Sequence, residues 1–173
     1  MSRAKRKRIV RNTINYYGAD ILKSNGFTRS DKNFQHGDIS VMEHSISVSC
    51  VCVNIAKFFH IKCDYSALVR GSLLHDYFDY DWHTYEGKLH GYRHADTALV
   101  NASNDFAINP KEANMITRHM FPLNIRPPRH REAVILCVAD KVCAVKETFS
   151  KPFYSDIIQE IKKWALQKSF YAF

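Results

Sequence analysis

Apolar side chains recur along this chain at intervals of three and four, the spacing that lines one face of an α-helix. From residue 39 to about 60, Val41, His44, Val48, Val51 and Ile55 share such a face, so His44 points at the core, and Asp38 stands where a capping side chain is expected. The β-branched content there would suit a strand, but about 20 residues is far beyond the usual strand length. Upstream, residues 5 to 24 read as a helix stopped at Asn25-Gly26, and residues 30 to 37 as a polar connection. Asp64 caps a helix predicted to run through about Tyr80, on which Leu68, Gly71, Ser72 and His75 share one face. Asp76 lies one position, about 100°, further round, and the small Gly71 and Ser72 leave room beside it for a cation.

Residues 81 to 93 are polar, aromatic and glycine-containing, a long connection of the kind that borders sites. Helices are then predicted over 94 to 107, over 110 to 120 with Pro110 in the first turn, and over about 129 to 149 after Pro122, Pro127 and Pro128. The last of these carries Ala133, Leu136, Cys137, Asp140 and Cys143 on one face. A final packing helix covers 154 to 170 through Trp164. The expectation is an all-α, single-domain bundle over 1–173, its core at about 36–150. A basic N-terminal helix (3–25) and the C-terminal helix (154–170) pack on that core.

Composition narrows the class without changing that picture. At 173 residues, 46% hydrophobic, with Gly and Pro scarce, the chain has enough apolar material for one sizeable core and is unlike disordered or low-complexity sequences. No apolar run reaches the ~18–20 residues of a membrane helix, and the basic start does not lead into a signal-peptide stretch, so a cytoplasmic protein with no membrane association is expected. The cysteines Cys50, Cys52, Cys63, Cys137 and Cys143 are odd in number, lie in apolar contexts and form no C-x-x-C pair, which suits reduced, buried thiols. Charge is concentrated: Arg3, Lys5, Arg6, Lys7, Arg8 and Arg11 account for six of the net +8. No aromatic residues interleave with them and no recognition motif follows, so a solvated helical turn is the better reading than a nucleic-acid contact.

The chemistry lies in polar residues set among apolar ones. His44, His75, Asp76, His94, His119 and Asp140 each fall in or beside an apolar segment, where an uncompensated polar group is costly. Imidazoles and carboxylates together suit Mn, Fe, Co, Ni or Zn, or Mg with water completing its sphere. Asp140, in the middle of an apolar stripe, calls for a cation, a donor or a metal.

The step Leu73-Leu74-His75-Asp76-Tyr77, followed by Val138-Ala139-Asp140-Lys141, resembles the HD-domain superfamily of metal-dependent phosphohydrolases over roughly residues 36 to 150. That resemblance implies an HD-type helical bundle with a metal site at its centre. It implies a minimal single-metal set of His44, His75, Asp76 and Asp140, and a second cation if His94 and His119 add to it, with His90 or His83 as substitutes for His94. Two features depart from better-known branches. Asp79 stands where many members have lysine, and Met120-Phe121-Pro122-Leu123 replaces the Gly-Tyr-Pro signature of cyclic-dinucleotide phosphodiesterases. The segment Tyr80-Asp81-Trp82-His83 is similar to an uncharacterised bacterial branch.

The implied activity is hydrolysis of a phosphomonoester or phosphodiester, a nucleotide among them, by a metal-activated water, with one or two divalent cations as cofactors and Asp76 as the catalytic ligand. Lys88, Arg93, Arg118 and Lys141 are candidates for binding substrate phosphate, and His83 and His90 for outer-shell acids or bases. Two other readings share the pattern: a mixed-valent di-iron oxygenase with the same four His and two Asp, and a non-catalytic nucleotide-binding regulatory module, which the missing lysine favours.

Overall fold

The long central helices arise where the apolar periodicity is strongest, and they carry the site. In the computed structural model, residues 2–36, 38–77 and 90–167 are described, without the side chains of 35, 36 and 90–93. The chain runs α1 (Arg3–Tyr17), α2 (Ala19–Leu22), α3 (Asn25–Arg29), a 3-10 turn (Ser30–Lys32), β1 (Phe34–His36), β2 (Ile39–Ser40) and α4 (Val41–Phe58). It continues through α5 (Tyr65–Leu74), α6 (His90–Asp105), α7 (Pro110–Arg118), α8 (Arg131–Phe149) and α9 (Ser155–Leu166).

Helix α4 is the hub, packed against α5 and α8, while α7 bridges α5, α6 and α8. It is apolar on most of its circumference and therefore buried on most of it. Ile46, Cys50 and Val53 join a core with Ile14, Ile21, Phe27, Leu73, Leu74, Ile157 and Ile161. Val48, Cys52 and Ala56 join another with Leu68, Met115, Leu136 and Cys143. No described helix is long and apolar enough to cross a membrane.

Several boundaries differ from the sequence expectations for local reasons. The helix expected over 5 to 24 breaks at Gly18, where a Cβ would lie 2.5 Å from Leu73 Cδ1, so α5 sits against the backbone at the break. Asn25-Gly26 does not stop a helix but opens α3, capped by Ser24, whose Oγ accepts from Phe27 N at 3.1 Å. The polar connection at 30 to 37 holds a 3-10 turn and β1, which pairs antiparallel with β2. Because β2 occupies Ile39–Ser40, the cap of α4 is Ser40 rather than Asp38, accepting from Glu43 N at 3.2 Å. Asp64 does cap α5, through Ala67 N at 3.1 Å.

Helix α5 ends at Leu74, short of the expected Tyr80, and α7 ends at Arg118. The space beside Gly71 is filled by Met115, whose Sδ would be 2.6 Å from an added Cβ; Gly71 admits α7 to α5 rather than a cation to the site. At the N-terminus, part of the basic block is engaged within the molecule. Lys7 pairs with Asp156 at 2.5 Å and Arg11 with Glu160, tying α1 to α9.

Candidate metal centre

Two of the histidines are placed by the same local device. The last carbonyls of an α-helix have no intrahelical donor. His75, at the end of α5, gives Nδ1–H to Ser72 O at 2.8 Å, and His119, at the end of α7, gives Nδ1–H to Ile116 O at 2.7 Å. Each ring thereby caps its own helix and turns Nε2 into the space between α4, α5, α7 and α8. His44 enters that space from α4 and Asp140 from α8, 96 positions apart in sequence. His94 enters from the second turn of α6. Asp76, in the turn after α5, completes the group.

The six side chains form two buried triads, one of His44, His75 and Asp140 and one of Asp76, His94 and His119. None of the six residues is more than 8% exposed. In the first, Asp140 Oδ1 lies 3.2 Å from His44 Nε2 and 3.6 Å from His75 Nε2. In the second, His94 Nε2 and His119 Nε2 are 2.9 Å apart. Asp76 faces both: Oδ2 lies 3.4 Å from His75 Nε2 and 3.9 Å from His44 Nε2, and Oδ1 lies 3.4 Å from His119 Nε2 and 3.5 Å from His94 Nε2.

Those separations fit cations. Ligand atoms about 2.1 Å from one ion, at angles near 90–110°, stand roughly 3.0–3.4 Å from each other. His75 Nε2 is buried with no hydrogen-bond partner, an atom whose lone pair or proton a dry protein interior leaves expensive. The donor set, imidazole nitrogen with carboxylate oxygen, suits first-row divalent ions. Buried His/Asp clusters able to hold metal ions are thus present, as the residue pattern predicts.

The electrostatics of the six side chains follow from the same contacts. Burial alone would lower the His44 pKa, but hydrogen bonds to Asp140 and Glu147 outweigh it and raise the group to about 10. His119 is likewise raised, its burial outweighed by Asp76. Burial pushes both carboxyls upward, yet Asp76 is held well below the usual range by His75, His119 and His94, and Asp140 by His44 and His75. The surrounding imidazoles hold the carboxylates, the role a cation would take over.

The remaining candidates are placed unevenly. Lys141 Nζ donates to His119 O at 2.7 Å and stands 3.8 Å from Asp140 Oδ2, at the rim of the first triad. Arg118 lines a cavity of about 480 Å³ with Asp96, Thr117, Leu123, Asn124, Ile125 and Arg126, and none of the six clustered residues lines it. Lys88 and His83 lie outside the described residues, as do the side chains of His90 and Arg93. Asp79 does too.

One functional candidate is absent from the sequence reading. Glu147 Oε2 lies 2.6 Å from His44 Nδ1, and its side chain is fully buried. The signal was present: Glu147 stands seven positions after Asp140, on the same apolar stripe as Cys143. No known family model, curated protein or solved structure matches the chain.

Proposed function

We propose that this protein is a metal-dependent phosphohydrolase of the HD type, acting on a phosphomonoester or phosphodiester such as a nucleotide. The observation that carries this reading is Asp76, whose two carboxylate oxygens face two different His-containing triads. Two divalent cations held there would supply a nucleophile from water at neutral pH and neutralise charge on phosphorus-bound oxygens. His44, His75 and Asp140 would hold one, His94 and His119 the other, and Asp76 both.

The chain's own residues favour a water nucleophile over a covalent one. Cys137, one turn before Asp140, donates its thiol to Arg118 O at 3.2 Å, and burial raises its pKa. A thiol so engaged is a poor attacking group. Lys141, fixed by the His119 carbonyl, puts an ammonium at the rim where a substrate phosphate would approach. Asp140, between Lys141 and His44, brings a carboxylate to the first triad. Lys88, Arg93 and Arg118 are further candidates for phosphate binding, and His83 and His90 for proton transfer.

The test pairs composition with turnover. Protein purified without added metal is analysed for bound elements and for a coupled-iron signal, then loaded with Mn²⁺ or Fe²⁺ and assayed on bis-p-nitrophenyl phosphate and p-nitrophenyl phosphate. Hydrolysis is expected, and Asp76→Asn, which keeps size but removes charge, should lower it by about 100-fold or more with metal saturating. A fully active Asp76→Asn protein would overturn this reading. Wild-type protein inert towards both esters but carrying a coupled di-iron signal would replace it with the oxygenase, and bound metal with neither property would replace it with the regulatory module.

A further inference from the structure

The rings of His44, His75 and His119 differ in what stands behind them. His75 and His119 spend their outer nitrogens on backbone carbonyls, Ser72 O and Ile116 O. His44 instead presents Nδ1 to a carboxylate, Glu147 Oε2, at 2.6 Å. Glu147 is fully buried, and its other oxygen, Oε1, has no hydrogen-bond partner. Keeping a carboxylate there costs desolvation, which a neighbouring positive centre offsets. The imidazole of His44 stands against it, and that ring's opposite nitrogen, Nε2, lies 3.2 Å from Asp140 Oδ1 and 3.9 Å from Asp76 Oδ2.

A carboxylate behind a ligating imidazole fixes the tautomer with the proton on the outer nitrogen, leaves the inner lone pair for the ion, and makes the ring a stronger donor. A carbonyl fixes the tautomer too but adds no net charge. With Asp140 the first triad therefore has two carboxylates on its side of Asp76, one direct and one through His44. The carboxylate within the second triad is Asp76, which both share.

We infer that Glu147 is a positioning residue that makes the cluster of His44, His75 and Asp140 the tighter of two cation sites, so that the first divalent ion enters there and the second joins at His94 and His119. This rests on the metal-centre reading above and adds an order of loading and the residue that sets it. Glu147 touches neither ion; it acts through His44.

Metal-free protein titrated with Co²⁺, followed by calorimetry and by visible absorption of the bound ion, tests the inference directly. Wild type should bind in two resolved steps. His119→Ala should keep the first step and lose the second. Glu147→Gln retains an oxygen acceptor for Nδ1–H but not the charge, and should weaken the first step by roughly 10- to 100-fold while changing the second by less than about threefold. Glu147→Asp, a shorter carboxylate, should recover part of the loss. Circular dichroism establishes that each variant is folded, and proton NMR of Co²⁺-free, Zn²⁺-loaded wild type gives a measurement independent of any variant: a strongly downfield Nδ1–H resonance correlated to His44. Two equivalent steps, a first step unmoved by Glu147→Gln, or no such resonance would overturn the role of Glu147 while leaving the metal centre standing. Failure of wild type to bind Co²⁺ at all would remove the metal-centre reading itself, and this inference with it.

Discussion

At the scale of single residues, the buried imidazole–carboxylate contacts make stability depend on pH. His44, raised from 6.5 to about 10, contributes stability that is fully present below pH 6.5 and lost as pH rises through 10. Asp76 and Asp140, depressed below the ordinary 3.8, contribute stability present above that value and lost as pH falls further. These are one set of contacts seen from two ends, so the metal-free protein holds their full benefit between about pH 4 and 6.5. Urea midpoints of wild type and His44→Gln, both with chelator, should differ most near pH 6 and converge towards pH 10. A gap that widens with pH would contradict the assignment of His44. The same contacts show why single residues were only half legible: His and Asp in apolar segments announce a need for partners, but not which oxygen of Asp76 meets which ring.

At the scale of elements, helix faces decide what a substitution costs. Leu136 on α8 is fully buried, whereas Val138, two positions on, is 51% exposed together with Val134, Val142, Val145 and Phe149. Leu136→Ala should cost about 2–5 kcal/mol, and Val138→Lys should stay within about 0.5 kcal/mol, as read by denaturant midpoints. Gly71→Ala, which sets a Cβ 2.6 Å from Met115 Sδ where α5 meets α7, should cost about 1–3 kcal/mol. Pairing it with Met115→Ala, which empties that space, should give a double variant less destabilised than the sum of the two. Additive losses would show that Gly71 is not there to admit Met115. Helix α8 reads in sequence as one apolar stripe because its buried positions repeat correctly, yet its solvent side is apolar too, and periodicity alone does not mark that second face.

At the scale of the whole molecule, the centre joins α4, α5, α6, α7 and α8, so an ion held there would bind the folded chain and not the unfolded one. Ligand at about 100 times its Kd stabilises by about 2.7 kcal/mol, a rise in Tm of roughly 5–10 °C for a domain of this size. Scanning calorimetry with Mn²⁺ against excess chelator should show that rise, and it should grow from pH 6 to 8 as the proton that the ion displaces from His44 is released to solvent more readily. An identical Tm in both conditions would leave the triads as a hydrogen-bonded core.

What the chain alone determined are features settled within a few residues: the helical periods of α4 and α8, the Asp64 cap, Pro110 in the first turn of α7, and the chemical need of six buried His and Asp side chains for partners. Such signals are legible because a cap or an apolar stripe acts over one to four positions. The tertiary structure decided what depends on distant segments. It brought His44 to Asp140 across 96 positions, put Asp76 between two triads, set Glu147 behind His44 across 103, and filled the gap at Gly71 with Met115. It also ended α5 at Leu74, where His75 turns back onto Ser72 O and frees Asp76 from the helical face that periodicity alone would assign it. These outcomes follow from how helices pack, and packing chooses among partners that a linear pattern leaves equivalent.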